Sequence, residues 1–360
     1  MKQIWLRAET KQNERRTPII PVHAGILVKN GYNVFVEKSA NRIFKDSDYK
    51  NEGCSIVEYN SWRESPTDAY IIGLKELPQD NFPLRRRHLY FAHAYEHQAG
   101  ADELLLRYMN GGGFLFDFEH ITDTMGSQLV TGGAGYWAGV CAVAATLDIW
   151  LQKQSGVTPP YKIPTHFDEY DSLVNYIKIK WDNKQCKQPK ILILGQNGYV
   201  GRGVRLLLDE LKVTYSTAPR ITRDNLSYCE QMLDFDIIFN CIKLNKETPV
   251  FLTNSMLKQN RQLSILADVS CEPLHPNNPF PIYSNVTTFA NPTCRIKSNI
   301  DIMSIDNITT MLPKECSYIL SEQIFPYLCY FLMAGDNFKA SPFERVVKAF
   351  NNACQEIKVI

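Results

Sequence analysis

Ile191-Leu192-Ile193-Leu194-Gly195-Gln196-Asn197-Gly198-Tyr199-Val200-Gly201 runs four apolar residues straight into three glycines at a spacing of three. An unbroken apolar run is what a parallel strand buried on both faces requires. Beyond it Val200, Val204, Leu207, Leu208 and Leu211 recur at helical spacing, which predicts a helix over Tyr199 to Leu211. A strand that enters a glycine turn opening a helix aims the N–H groups of the helix N-terminus at a pyrophosphate. In that role Gly195 permits the tight turn, Gly198 the approach of phosphate and Gly201 the packing of helix on strand, with Tyr199 and Val200 beside them. The spacing departs from the stricter G-x-G-x-x-G, and an ordinary turn with incidental glycines is the alternative.

An acid that binds the adenosine ribose belongs roughly 20 residues after the first glycine. The chain there reads Tyr215-Ser216-Thr217, without an acid, and Arg220 and Arg223 follow just beyond. The expected cofactor is NAD, with NADP possible if the arginines receive a 2′-phosphate. Arginines that are merely exposed are the other reading.

Working outward, further strands are predicted at Lys212 to Tyr215, Ile237 to Ile242 and Ser264 to Val269. Pro313 suits the first position of a last long helix, with Asp306 shortly before it as a possible N-cap. Toward the N-terminus, Ile4 to Leu6, His23 to Lys29, Val34 to Glu37, Tyr70 to Leu74 and Leu89 to Ala92 carry the rhythm of a parallel α/β layer. Gly111-Gly112-Gly113 precedes another strand, Phe114-Leu115-Phe116. Tyr136 to Gln152, rich in alanine and glycine, suits a buried helix joining two domains, and 153–189 reads as connection plus one helix. At 360 residues two α/β domains are expected, with parallel sheets flanking a cleft.

Lys and Arg number 39 against 38 Asp and Glu, a net charge of +1 that offers no footprint for nucleic acid. The run Arg85-Arg86-Arg87 reads as a solvated approach to a strand. Ten cysteines lie scattered without a Cys-x-x-Cys, so reduced thiols are expected rather than a disulfide framework, and no metal site. Charge interrupts the N-terminus before a secretory core can form, and no apolar stretch reaches the roughly 20 residues that span a bilayer. A soluble cytoplasmic protein with no membrane partner is expected.

Hydride chemistry at a carbon bearing a heteroatom needs a proton donor or acceptor, and a cation to orient a carboxylate. Lys75, in Ile71-Ile72-Gly73-Leu74-Lys75-Glu76, follows one strand, and His93, in Phe91-Ala92-His93-Ala94-Tyr95, follows the next. Open α/β sheets place ligands at such strand ends. Arg16 is a candidate carboxylate clamp. A solvated lysine, a surface arginine and strand-end charges at Glu119 and Asp306 are the plainer readings.

Taken in order, Arg7-Ala8-Glu9-Thr10-Lys11, Ile72-Gly73-Leu74-Lys75-Glu76, Phe91-Ala92-His93, Gln98-Ala99-Gly100, Phe239-Asn240-Cys241-Ile242, Asp268-Val269-Ser270 and Ser304-Ile305-Asp306 resemble the NAD-dependent, lysine-forming saccharopine dehydrogenases. These belong to the wider alanine dehydrogenase and transhydrogenase group. The resemblance implies two Rossmann-like domains: residues 1–134 plus 314–360 for substrate and catalysis, and 135–313 for the dinucleotide, with the active site in the cleft. It implies reversible oxidation of a secondary amine to an imine, hydrolysed to an amino acid and a 2-oxo acid. Lys75 and His93 become the acid–base pair. Arg16, Glu76, Glu96, Gln98 and Glu119 fall on the substrate side, and Asp268 and Asp306 beside the cofactor.

The departures are informative. Where the family places a lysine after the histidine, this chain reads Tyr95-Glu96-His97-Gln98. Where the family has an arginine pair after the glutamate, it reads Gly126-Ser127-Gln128-Leu129, and no arginine occurs between Arg107 and Arg202. Losing such a cation removes charge-assisted hydrogen bonds of about 1.5–3 kcal/mol each, enough to alter substrate choice. Saccharopine leads as the expected substrate. A related opine built on another amine or a smaller oxo acid is the runner-up, with Glu96 attracting a second amine. A dinucleotide-binding sensor without catalysis is the reading from another class.

Overall fold

The computed structural model describes residues 2–95, 100–123, 125–131, 134–259, 262–296, 299–335, 337–339 and 341–359, the side chains of 358 and 359 excepted. The chain divides into two compact units, Met1–Gly133 with Pro313–Ile360, and Ala134–Leu312.

The first unit opens with β1 (Gln3–Leu6), α1 (Pro21–Lys29), β2 (Asn33–Glu37), α2 (Asp46–Asn51), β3 (Ser55–Val57), β4 (Tyr70–Ile72), β5 (Arg87–Tyr90), α3 (Ala101–Gly111) and β6 (Phe114–Asp117). The strands form one sheet in the order β3-β2-β1-β4-β5-β6, and every pairing is parallel. Side chains alternate across each strand, so one sheet must be covered twice. Ile4, Leu6, Ile72 and Leu89 face one core, whereas Trp5, Ile71 and Tyr90 face the other. The chain's last two helices complete this unit. These are α8 (Pro313–Ala334) and α9 (Phe343–Val359), with Ile324, Leu328 and Phe331 in the first core and Phe350 in the second.

The second unit comprises α4 (Gly135–Gln154), α5 (Tyr170–Asp182), β7 (Ile191–Leu194), α6 (Tyr199–Glu210), β8 (Ser216–Thr217), α7 (Tyr228–Gln231), β9 (Ile237–Asn240), β10 (Ile265–Asp268), β11 (Cys294–Ile296) and β12 (Ile300–Met303). Its sheet runs β11-β12-β10-β9-β7-β8, parallel except for the edge strand β11. All four residues of β7 are buried, as the apolar run requires. Helix α4 crosses α6 closely because both carry glycine at the contact. A Cβ on Gly139 would stand 2.1 Å from the Val200 carbonyl oxygen, and one on Gly203 1.8 Å from that of Tyr136.

Both units show the expected α/β architecture with parallel sheets, and several local expectations are corrected. The strand after α6 is Ser216–Thr217, not Lys212 to Tyr215. Lys212, at φ +54°, ends the helix in a turn that Val213 closes by donating to Leu208 O at 2.8 Å, so extension starts later. Strand β12 escaped notice because Asp301 interrupts its apolar run. That aspartate is buried and paired with Lys153 and Arg295, each at 2.7 Å. Pro313 does open a helix, but α9 follows it. Asn307 is the N-cap of the 3₁₀ turn Ile308–Met311 that precedes α8, and Asp306, exposed, stands one residue before it. Of the three arginines, Arg86 is buried, its Nε donating to Ser65 O at 3.0 Å, so only part of that run is solvated. The buried helix expected at Tyr136 to Gln152 is α4, which begins where the first unit ends and forms part of the second unit's core. Among the described residues, no helix is long and apolar enough to cross a membrane.

Candidate active site

In the first unit β1 lies between β2 and β4, so the connection order reverses there. The crevice at the carboxyl ends of such a pair is where open sheets bind ligands. The segment after β1 brings Arg7 and Glu9 to it, and the segment after β4 brings Lys75.

Glu9 holds the lysine by its backbone. Its two carboxylate oxygens accept the N–H groups of Leu74 at 2.7 Å and Lys75 at 2.8 Å. The Arg7 guanidinium donates to Lys75 O and reaches Glu9 at 3.4 Å. Gly73 leaves room for it, since a Cβ there would stand 2.2 Å from Arg7 Nε. The motifs around Arg7 and Lys75 are thus two halves of one mount. Lys75 itself is half-buried, and among the described residues its Nζ has no hydrogen-bond partner. Burial, reinforced by the charges of Arg16 and Lys11, lowers its pKa.

His93 is mounted in the same way. Asp117, at the end of β6, is buried and accepts the N–H groups of Ala92 at 3.2 Å and His93 at 3.0 Å through one oxygen, and that of Glu119 at 3.1 Å through the other. Burial pushes the Asp117 carboxyl up to about 6. His93 has φ +51°, a left-handed conformation that a non-glycine residue adopts only when its surroundings impose it. Its Nδ1 donates to Glu119 Oε2 at 3.0 Å, which leaves Nε2 to exchange a proton. The hydrogen bond to Glu119 raises the histidine's pKa against the opposing effect of burial, and the Lys75 charge bears on it as well. A lysine moved down and a histidine moved up titrate closer together, which suits acid–base exchange.

Arg16 is buried, and its fork closes on Glu14, with Nε to Oε1 at 2.7 Å and Nη2 to Oε2 at 2.5 Å. A carboxylate of the chain therefore already meets the expected clamp. Glu76 is exposed beside Lys75, and Glu96 and Gln98 lie outside the described residues. The segment after Glu119, which lacks an arginine of its own, receives one from α9: Arg345 Nη1 donates to Thr122 Oγ1 at 3.3 Å.

In the second unit the order reverses between β7 and β9, and a cavity of about 580 Å³ opens there. Its wall is made of the turn Gly195 to Gly198, the segment Ala218 to Arg223 after β8, and the loop after β9 with Lys243, Lys246 and Glu247. Gly195, at φ +78°, is the tight turn. A Cβ on Gly201 would sit 2.3 Å from Gly195 O, so this glycine lets the helix close on the turn. Gly198 differs: a Cβ there would meet nothing nearer than 3.5 Å. The chain does not need that space for its own packing, and a phosphate at the start of α6 would fill it. The residues fit a dinucleotide.

Of the other residues expected at the nucleotide, Arg220 lines the cavity, and Tyr199, Val200 and Ser216 flank it in sequence. Asp268 and Asp306 do not line it. Asp268 turns inward, accepting from Tyr283 OH at 2.6 Å and Asn240 Nδ2 at 2.9 Å, and Asp306 follows β12, farther along the sheet. Sequence reasoning missed Glu9, Asp117, Lys243 and Lys246. Glu9 stood inside a quoted motif without a role, and the others carry no local signal.

The sequence matches the alanine dehydrogenase/PNT N-terminal domain over residues 5–132 and the C-terminal domain of the same family over residues 178–356. It is 35% identical to the saccharopine dehydrogenase (NAD+, L-lysine-forming) of Emericella nidulans, covering 97% of this chain and 96% of that one. It is also 35% identical to the enzyme of that name from Schizosaccharomyces pombe, covering 98% and 99%. The chain belongs to the saccharopine dehydrogenase (NAD+, L-lysine-forming) family. Its fold is shared more widely. An L-alanine dehydrogenase superposes with a TM-score of 0.68 at 18% identity over 99% of each chain. A transhydrogenase from Sinorhizobium meliloti gives 0.64 at 15% identity over 97% and 96%.

Proposed function

We propose that this chain is an NAD-dependent dehydrogenase that oxidises the secondary amine joining an amino acid to a 2-oxo acid skeleton, and catalyses the reverse reductive condensation. Saccharopine is the first candidate substrate, in keeping with the names of the relatives. The observation that carries the reading is the pair formed by Lys75, lowered by burial, and His93, raised by Glu119, each fixed by a buried carboxylate at the strand ends of one sheet.

The chemistry needs such a pair. Oxidation removes a hydride from the carbon and a proton from the nitrogen, leaving an imine. The nicotinamide, when bound, takes the hydride. Water then adds to the imine carbon, the carbinolamine collapses, and the departing amine takes up a proton while the 2-oxo acid forms. Lys75 and His93 accept and return these protons, which contributes a factor of about 10²–10⁴ in such enzymes. Glu119 fixes the ring so that Nε2 faces the exchange.

The test is the rate of NADH consumption over a matrix of amino acids and 2-oxo acids, on the full chain and on Lys75→Met and His93→Gln. Lysine with 2-oxoglutarate is expected to give turnover, with both variants depressed about 10²–10⁴-fold while NADH still binds. NADH binding without consumption by any pair would favour a sensor. Turnover with a different oxo acid alone would favour a related opine.

A further inference from the structure

We propose that the nucleotide cavity of the second unit is built to receive a 2′-phosphate on the adenosine ribose, so that NADP(H) binds at least as tightly as NAD(H). The inference rests on the dinucleotide reading above and concerns which dinucleotide enters.

Sheet register gives the first reason. Strand β8 pairs with β7 at Leu192↔Ser216 and Ile193↔Thr217, and Ala218 N donates to Ile193 O at 3.0 Å. The residues after Thr217 therefore stand alongside the glycine turn that follows Leu194, where the adenosine ribose of a dinucleotide lies. A site selective for the unphosphorylated ribose puts a carboxylate there, which accepts the 2′-hydroxyl and repels a phosphate. This chain presents Ser216-Thr217-Ala218-Pro219-Arg220-Ile221-Thr222, without an acid.

Charge gives the second. Among the described residues four cations line the cavity, Arg220 and Arg223 after β8 and Lys243 and Lys246 after β9, against one carboxylate, Glu247. Glu247 stands 4.0 Å from Arg220, and both side chains are over four-fifths exposed, so this pair holds the arginine weakly. The chain's net charge of +1 makes a local excess of this size a feature of the cavity and not of the whole surface.

The third reason is that the backbone carrying the arginines is set. Asn225 Nδ2 donates to Arg220 O at 3.1 Å, Thr222 N donates to Asn225 Oδ1 at 2.7 Å, and Asp224 N donates to Thr222 Oγ1 at 3.4 Å. This clasp presents Arg220 and Arg223 from a fixed loop next to the ribose position. A guanidinium fork matches phosphate oxygens two at a time, and ordering less chain on binding retains more of that energy.

Binding to the full chain, by calorimetry or by nicotinamide fluorescence, tests this with NADPH, NADH, 2′,5′-ADP and 5′-AMP. NADPH is expected to match or exceed NADH, and 2′,5′-ADP to exceed 5′-AMP. Arg220→Ala should weaken NADPH and 2′,5′-ADP by about tenfold or more, the size of one charge-assisted hydrogen bond, and NADH and 5′-AMP by much less. Ser216→Asp should turn the preference toward NADH. NADH binding about tenfold or more tighter than NADPH, or equal losses in Arg220→Ala, would overturn the inference and leave the dinucleotide reading standing. If neither dinucleotide binds, both fall.

Discussion

His93 Nδ1 stands 3.0 Å from Glu119 Oε2, so the histidine that faces Lys75 electrostatically is fixed and charged up by a carboxylate from the next strand end. Its largest upward influence is that hydrogen bond, and burial opposes it.

Glu119→Gln removes the charge while keeping an oxygen for Nδ1–H. The histidine's pKa should then fall, because burial is opposed only by the more weakly acting charge of Asp117, and the limb of the kcat/KM profile governed by His93 should move to lower pH. An unmoved limb would mean that Glu119 does not tune the pair. The sign for stability follows. The raised histidine contributes below its unfolded pKa and loses its share as pH rises through the folded one, whereas the lowered Glu119 loses its share as pH falls. The variant should therefore be least stable relative to the parent between the two ordinary pKa values, by about 1 kcal/mol or less for a partly exposed pair.

Glu9→Gln and Asp117→Asn test the two mounts. Each replaces an accepting oxygen by an NH₂ facing a buried N–H, a loss of about 1–3 kcal/mol per donor left unpaired. Turnover should fall in both while NADH affinity holds. Hydrogen exchange should quicken at Leu74 and Lys75 in the first and at Ala92 and His93 in the second. Exchange unchanged at those amides would dismiss the mounts.

The glycines of the turn should separate binding from folding. Gly198→Val has room in the folded chain, so it should melt near the parent temperature yet lose dinucleotide binding. Gly201→Val meets Gly195 O and Gln196, so it should lose stability by about 1–3 kcal/mol or more. Normal NADH binding by Gly198→Val would sink the assignment of the turn.

The close crossing of α4 and α6 is a purely structural demand. Gly139→Ala should cost about 1–3 kcal/mol in urea unfolding, because the new carbon meets helix backbone, which cannot swing aside. A change within about 0.5 kcal/mol, as for an ordinary surface site, would show that the helices part easily.

The turn and its strand were legible in the sequence because their causes are local. A strand buried on both faces must be apolar throughout, and Gly195 and Gly201 are required by backbone geometry within a few residues of themselves. Lys75 and His93 were legible for a related reason, each standing just past an apolar run. Tertiary structure alone decided what those groups meet. Glu9 holds an amide 66 residues away, and Asp117 one 24 residues away. It also decided that α8 and α9 return to finish the first unit, and that Lys243 and Lys246 share a wall with the glycine turn. A hydrogen bond or ion pair between strand ends leaves no period in the chain, because strand order, β1 beside β4 and β7 beside β9, selects the partners. The sequence by itself therefore determined the glycine turn and the two titratable side chains at the strand ends, and the order of the strands determined the carboxylates that hold them.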